Sequence, residues 1–170
     1  MAFIRIKRRP LKSKEVWYAY LVKNVWDKKK NSSRQNVSKY LGKCLEGTPA
    51  NSISFEEFTG KDIPSYIHHS SSRIISDLVQ WEIRKHDFSE EVSYKKSKKG
   101  VFAGDSECVL MINQGHMCGY TIRRLFNFRP NSQDEHEVGL ELAKRFTEAG
   151  ISIPRELFVA FFEKVATIEY

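Results

Sequence analysis

The amino-acid sequence predicts an α+β fold, in which a three-stranded antiparallel β-module precedes a mostly helical region with one short β-hairpin. Strand-forming residues follow a period near two from residue 3 to about residue 42. Apolar residues then recur at helical spacing near residues 74–83 and again from residue 138. We therefore divide the chain into a basic β-module at residues 1–48 and a mostly helical region at residues 55–170. The two could pack together as one domain.

The β-module begins with an alternating strand from Phe3 to Arg9, in which Ile4 and Ile6 share one face. We expect Pro10 to end this strand, because proline has no N–H to donate to a ladder. A second strand is predicted over residues 16–26 and a third over 34–41, joined by a polar turn. Glycine and proline residues beyond Leu41 indicate a linker up to about residue 54.

The second region contains the predicted helices and the short hairpin. One helix is expected to begin at the serines of residues 70–72 and to end at the basic residues 84–86. The hairpin is assigned to Val92–Lys95 and Cys108–Ile112, and a short helix to His116–Phe126. A capping box from Ser132 to Glu135 opens the next helix, which ends before Gly150, and a last helix begins near Pro154.

Positive charge is concentrated at the start of the chain. The first 43 residues hold 13 Lys or Arg against Glu15 and Asp27, whereas the net charge of the whole chain is only +7. The remaining 127 residues are therefore net acidic. Two of the three tryptophans and three tyrosines lie in the same basic segment. Cations interleaved with aromatic rings suit a ligand that has phosphates outside and stackable bases inside, so the predicted partner is nucleic acid, either DNA or RNA.

The candidate binding residues come from all three predicted strands and the turn. Phosphate contacts are assigned to Arg5, Lys7, Arg9, Lys28, Lys29, Lys30, Arg34, Lys39 and Lys43. Stacking on bases is assigned to Trp17, Tyr18, Tyr20, Trp26 and Tyr40. Single-stranded ligand is slightly favoured over duplex, because paired bases do not offer their faces to aromatic rings. The simpler interpretation is that the rings are core residues and the charges a solvated face.

Alternation places Trp17, Ala19 and Leu21 on one face of the second strand, and Tyr18, Tyr20 and Val22 on the other. A three-stranded sheet cannot cover both of its faces by itself. We expect one face to pack on the helical region. The other would then expose its rings to solvent beside the five cations Arg5, Lys7, Arg9, Arg34 and Lys39.

The chain shows no sign of catalysis, and we predict no catalytic residue, metal or cofactor. It lacks the phosphate-binding GxxxxGK[ST] and GxGxxG loops and the GxSxG elbow. A nuclease based on Asp105, Glu107 and a distant carboxylate, and a zinc site of Cys108, His116 and Cys118, stay open as minor alternatives. The odd number of cysteines without a CxxC pair favours reduced thiols in a cytoplasmic protein. No apolar run reaches the ~20 residues of a membrane span, so no membrane association is expected.

A protein-interaction adaptor is the alternative function. The last predicted helix is apolar around most of its circumference, with Leu157, Phe158, Phe161 and Phe162. Such a helix either forms core or pairs with another chain, which would give a homodimer or a complex with a protein partner. The basic segment would then bind an acidic protein.

The segments Tyr18-Ala19-Tyr20-Leu21-Val22 and Arg34-Gln35-Asn36-Val37-Ser38-Lys39-Tyr40-Leu41-Gly42-Lys43, joined by a lysine-rich turn, are similar to a known pattern. They resemble the N-terminal segment of some insertion-sequence DDE transposases and of small archaeal proteins of unclear role. The resemblance covers about 40 of the 170 residues. It implies a β-ribbon of the kind found in DNA-handling proteins. It does not imply transposition, because the remaining residues are too few for the catalytic fold and show no acidic triad.

Overall fold

The structure, a computed structural model, describes residues 2–166 and confirms the α+β class. The strands are β1 (Ala2–Leu11), β2 (Lys14–Asp27), β3 (Ser32–Glu46), β4 (Thr48–Pro49), β5 (His86–Asp87), β6 (Val92–Lys95), β7 (Gly100–Ala103), β8 (Ser106–Ile112) and β9 (Gly115–Met117). The helices are α1 (Phe55–Thr59), α2 (Ile63–Tyr66), α3 (Ser71–Arg84), α4 (Gly119–Phe126), α5 (Glu135–Glu148) and α6 (Arg155–Ala166). A 3-10 turn spans Lys96–Lys98.

The strands β1, β2 and β3 form the predicted antiparallel unit, which we call the ribbon. Each strand is longer than predicted. The expectation that Pro10 ends β1 is wrong, since Pro10 pairs with Glu15 inside the strand. Proline is tolerated there because β1 is an edge strand and bonds a neighbour on one side only. β3 also continues to Glu46, into the segment predicted as a linker.

The ribbon is one part of a larger mixed sheet. The end of β3 pairs in parallel with β8, from Lys43 opposite Cys108 to Glu46 opposite Met111. The strand order is β1-β2-β3-β8-β7-β6, and β9 pairs with the end of β8. The sheet therefore crosses the predicted boundary between β-module and helical region. The predicted two-stranded hairpin is also incomplete, because β7 lies between β6 and β8.

The longer helices follow the sequence expectations, with local differences. α3 is capped by Ser70, whose hydroxyl accepts from the Arg73 N–H. The predicted capping box of α5 is wrong: its N-cap is Asp134, and the Ser132 hydroxyl donates to Glu137 instead. Gly150 adopts the expected left-handed conformation after α5, with φ of 69°. The helix expected from His116 begins at Gly119, because His116 belongs to β9. The short helices α1 and α2 were not predicted.

Two groups of buried side chains hold these elements together. The larger lies between the sheet and the helices and includes Leu78, Leu110, Leu142 and Phe161. A smaller second cluster lies under the ribbon and consists of Ala19, Leu21, Leu41, Cys44, Val109 and Cys118. All three cysteines are buried and free. No helix among residues 2–166 is long and apolar enough to cross a membrane. The second cluster covers only one face of the ribbon.

Candidate nucleic-acid interface

The register of the ribbon determines which side chains share a face. Lys7 is opposite Tyr18, and Tyr20 is opposite both Arg5 and Tyr40. Directly opposed residues of a ladder point to the same side of the sheet. Arg9 follows Lys7 by two positions and therefore points to the same side of the sheet as Lys7. We call this surface, formed by Arg5, Lys7, Arg9, Tyr18, Tyr20 and Tyr40, the tyrosine face.

The opposite side of the ribbon, which we call the core face, carries Ile4, Ile6, Ala19 and Leu21 into the second cluster. The predicted division of β1 and β2 into two faces is therefore confirmed. Trp17 also lies on the core face, opposite Arg8, but it is exposed and is not part of the second cluster. The tyrosine face contributes to neither buried cluster, so its rings remain available to a ligand.

The Tyr40 ring is in contact with the rings of both Tyr18 and Tyr20. The ring centroid of Tyr40 lies 5.3 Å from that of Tyr20 and 6.2 Å from that of Tyr18, with the planes tilted by 53° and 46°. Tyr40 is 52% exposed. Its partial burial, together with the neighbouring Tyr18 and Tyr20, raises the pKa of the Tyr40 phenol above its ordinary value of 10.0. The phenol is therefore uncharged at neutral pH and does not repel a phosphate.

Two cations lie along these rings. The Lys7 Nζ is 5.0 Å from the Tyr20 ring centroid, and the Arg9 Cζ is 5.6 Å from that of Tyr18. Both distances are within the range of cation–π attraction. The Arg5 guanidinium donates a hydrogen bond to the Gln35 side-chain carbonyl. Charged and stackable groups thus alternate over a few ångströms on one surface.

The positive charge of the ribbon is largely uncompensated within the part of the chain that the structure describes. Of the 13 Lys and Arg residues before residue 44, only Arg8 and Lys43 have a carboxylate of residues 2–166 at ion-pair distance, from Glu15 and Glu90. Elsewhere the basic residues are more often paired, as with Arg124 and the carboxylates of Glu141 and Glu148. A surface of unpaired cations attracts a polyanion over a distance of about a Debye length.

The structure does not bring all the predicted cations to this surface. Lys39 is opposite Leu21, and Arg34 is opposite Val25, so both lie on the core-face side of the ribbon. The expectation that they flank the exposed rings is wrong. Lys39 precedes Tyr40 by one position, so alternation alone places it on the other side. Ser38 is an extra residue in β3 that has no partner in β2, and it reverses the alternation for the residues before it, including Arg34. Its hydroxyl donates to the Leu21 carbonyl at 3.0 Å.

Another part of the predicted site lies at the end of a two-stranded arm. The first described residue of β1, Ala2, is opposite Lys23, so within residues 2–166 the segment 24–35 is paired in two strands only. The arm carries Trp26, which is 58% exposed, and the exposed tip residues Lys28, Lys29 and Lys30. Trp26 is six positions from Tyr20, which is roughly 20 Å along a strand. The arm is therefore a second basic surface, distinct from the tyrosine face.

A cleft of about 460 Å³ lies beside the tyrosine face and is lined by residues of β3, β7 and β8. Its lining includes Tyr40, Lys43, Glu90, Ala103, Ser106 and Cys108. At its edge Gly42 has a φ of 134°, and a Cβ there would lie 2.5 Å from the Glu107 carbonyl oxygen. Sequence reasoning missed Glu90 and Ser106, because their proximity to Tyr40 depends on the parallel pairing of β3 with β8.

The catalytic and metal alternatives gain no support from this geometry. Within residues 2–166, no group of three His, Cys, Asp or Glu side chains could hold a metal ion. Cys108 and Cys118 belong to different buried clusters, and Asp105 lies in a turn 3.7 Å from the Lys95 ammonium. Comparison of the chain with protein families, with curated proteins and with solved structures gives no match.

Proposed function

We propose that this protein binds nucleic acid without catalysing a reaction, and that the tyrosine face is its binding surface. Arg5, Lys7 and Arg9 contact phosphates, while Tyr40, with Tyr18 and Tyr20 beside it, stacks on bases. The cations of the arm, Lys28 to Lys30, add phosphate contacts farther along the strand. The ligand is DNA or RNA, with single strands slightly favoured over duplex and little selection of sequence by the ribbon itself.

The observation that carries this proposal is the contact between cations and rings on a face that the core does not cover. A ring needed only for stability would gain more from burial, and a cation needed only for solubility would not require a ring beneath it. Stacking of a base on an aromatic side chain contributes about 1–3 kcal/mol and tolerates any base. Release of counterions from each neutralised phosphate adds affinity that falls as salt rises.

The test is fluorescence anisotropy of labelled single-stranded DNA, single-stranded RNA and duplex DNA, each at low and high salt. Reversing three charges on the tyrosine face, with Arg5→Glu, Lys7→Glu and Arg9→Glu, should weaken binding at least tenfold. The matched control reverses three charges on the core-face side, with Lys23→Glu, Arg34→Glu and Lys39→Glu. This control changes the net charge by the same amount. Any loss of affinity in the tyrosine-face variant beyond that in the control therefore measures direct contact rather than long-range attraction.

Equal weakening by the two triple variants would show that the tyrosine face is not the site. An absence of binding to all three nucleic acids would contradict the proposed function. It would favour the adaptor, which is supported by the exposed Leu140 on α5 and Val159 on α6. An adaptor would purify without nucleic acid and would form a homodimer or bind a protein partner through these helices. A nucleic-acid binder should purify with a high 260/280 absorbance ratio that nuclease treatment removes.

A further inference from the structure

The cleft beside the tyrosine face is lined by two acidic residues, Glu90 and Glu107, and by one cation, Lys43. Glu90 lines it together with Tyr40 and Lys43, and the Lys43 ammonium forms an ion pair with the Glu90 carboxylate. A carboxylate repels phosphates, so the part of a nucleic acid that approaches Glu90 must be uncharged. On a base, the groups that suit a carboxylate are hydrogen-bond donors.

The remaining walls of the cleft suit the flat surface of a base. Tyr40, Ala103 and the buried Cys108 contribute uncharged lining. Burial, with a smaller contribution from the Glu90 charge, raises the pKa of the Cys108 thiol to about 12, so Cys108 is neutral. The volume of about 460 Å³ is within the range of small-ligand sites, roughly 300–1,000 Å³.

The polar groups of the cleft retain bonding capacity. A carboxylate can accept about four hydrogen bonds, whereas in the described residues Lys43 is the one partner found for that of Glu90. The ion pair holds the carboxylate in place without using its second oxygen. Ser106 is exposed at the cleft, and among residues 2–166 its hydroxyl has no side-chain hydrogen bond. This hydroxyl can therefore form a hydrogen bond with the edge of a base, next to the amino group of that base.

We propose that this cleft accepts one unpaired base that carries an exocyclic amino group, with the Glu90 carboxylate as the acceptor that selects it. The inference rests on the proposed function, because the cleft receives its base from a strand bound on the tyrosine face. Cytosine presents an N4 amino group that a Glu side chain accepts, whereas uracil presents a carbonyl oxygen that repels a carboxylate. The cleft thus adds a base preference that the ribbon lacks.

The test compares oligodeoxycytidine with oligodeoxyuridine of equal length, at pH 8 so that cytosine is unprotonated. The two bases differ at the 4-position and at N3, which carries a hydrogen in uracil and not in cytosine, and the strands share the same backbone charge. A hydrogen bond to a charged group makes oligodeoxycytidine bind about tenfold more tightly to the parent protein. In Glu90→Gln the ratio of the two affinities should fall to about twofold or less. Glu91→Gln removes the same charge from a neighbouring exposed residue outside the cleft and should keep the parent ratio.

Each outcome separates the inference from the proposal on which it rests. Loss of Glu90 also frees Lys43 and can tighten the binding of both strands, so the affinity ratio is the quantity that decides. Equal binding of the two oligonucleotides by the parent, or an unchanged ratio in Glu90→Gln, would overturn the role of the cleft and leave the ribbon as the binding surface. Binding of neither strand would contradict the proposed function itself.

Discussion

The carboxylate of Glu82 accepts a hydrogen bond from the backbone N–H of Ser152 at 2.7 Å, although the two residues are 70 positions apart. Glu82 lies on α3 and is completely buried. Its other oxygen accepts from the Asn113 side chain at 2.9 Å and lies 3.0 Å from the Lys85 ammonium. One side chain thereby joins α3, the turn between β8 and β9, and the connection from α5 to α6.

Replacing Glu82 by alanine should therefore destabilise the whole fold. The variant leaves the Ser152 N–H without its acceptor and a partly buried Lys85 without its carboxylate, while the Asn113 amide keeps only its bond to the Gly150 carbonyl. Breaking a buried charged pair costs about 3–5 kcal/mol. Urea denaturation followed by circular dichroism measures the free energy of unfolding. The control Glu91→Ala, at an exposed site, should change it by less than about 0.5 kcal/mol. A loss below about 1 kcal/mol in Glu82→Ala would contradict this role.

Tyr40→Ala should weaken binding of single-stranded nucleic acid without unfolding the protein. The lost stacking corresponds to about 1–3 kcal/mol of binding free energy, or roughly 5-fold to 150-fold in Kd. Tyr40→Phe retains the ring and should bind within about threefold of the parent. Anisotropy titration measures the affinities, and thermal denaturation should show similar Tm values, since Tyr40 is half exposed and outside both buried clusters. Equal affinity of the alanine variant and the parent would rule out stacking by this ring.

Lys7→Gln should reduce the salt dependence of binding as well as the affinity. Each phosphate contact contributes about 0.7 to the slope of log K against log salt for a single strand, so losing one contact should lower the magnitude by about that amount. Lys144→Gln removes the same charge from an exposed position on α5 and should leave the slope unchanged. The measurement is a series of titrations between low and high salt. Identical slopes for Lys7→Gln and the parent would mean that Lys7 does not touch a phosphate.

Alkaline pH should destabilise the protein through Tyr66. Burial and a hydrogen bond donated to the Asp77 carboxylate at 2.7 Å raise the pKa of this phenol strongly above 10.0. The unfolded chain releases the proton near 10.0, whereas the folded protein keeps it. The stabilisation is therefore complete below that pH and is lost as pH rises above it.

The variant Tyr66→Phe tests this linkage, because it removes the proton and keeps the ring. It should cost about 1 kcal/mol of stability at neutral pH through the lost hydrogen bond. It should also make the fall of the free energy of unfolding above pH 10 shallower than in the parent. Denaturation at a series of pH values measures both. Parallel curves for the two proteins would show that Tyr66 does not carry the effect.

Local patterns predicted the features that depend on neighbouring residues. The alternation around Ile4 and Tyr18 correctly separated the two faces of β1 and β2, because the period of a strand is set by its own backbone. The apolar spacing of α3 and α5 likewise located those helices. The wrong placement of Arg34 also has a local cause, which is the extra residue Ser38 in β3. The composition of the strand does not reveal that Ser38 is unpaired, so the reversal of faces could not be predicted.

Features that depend on distant residues could not be predicted in this way. Nothing near Lys43 indicates that its strand continues alongside Cys108, so the extent of the sheet and the cleft beside Tyr40 were missed together. Pairing of remote strands is decided by the complementarity of whole faces rather than by any short pattern. The candidate site was therefore half predicted: its cations and rings follow from the sequence, whereas Glu90 and Ser106 enter only through the fold.

The parallel pairing of β3 with β8 also bears on how the chain folds. The hairpins of the ribbon join residues close in sequence and can close within microseconds, whereas β3 cannot complete its ladder until β8 is available. During synthesis the highly charged ribbon leaves the ribosome long before the strand that anchors it. Its unpaired positive charge repels other copies during that interval, when an open strand edge would otherwise invite aggregation.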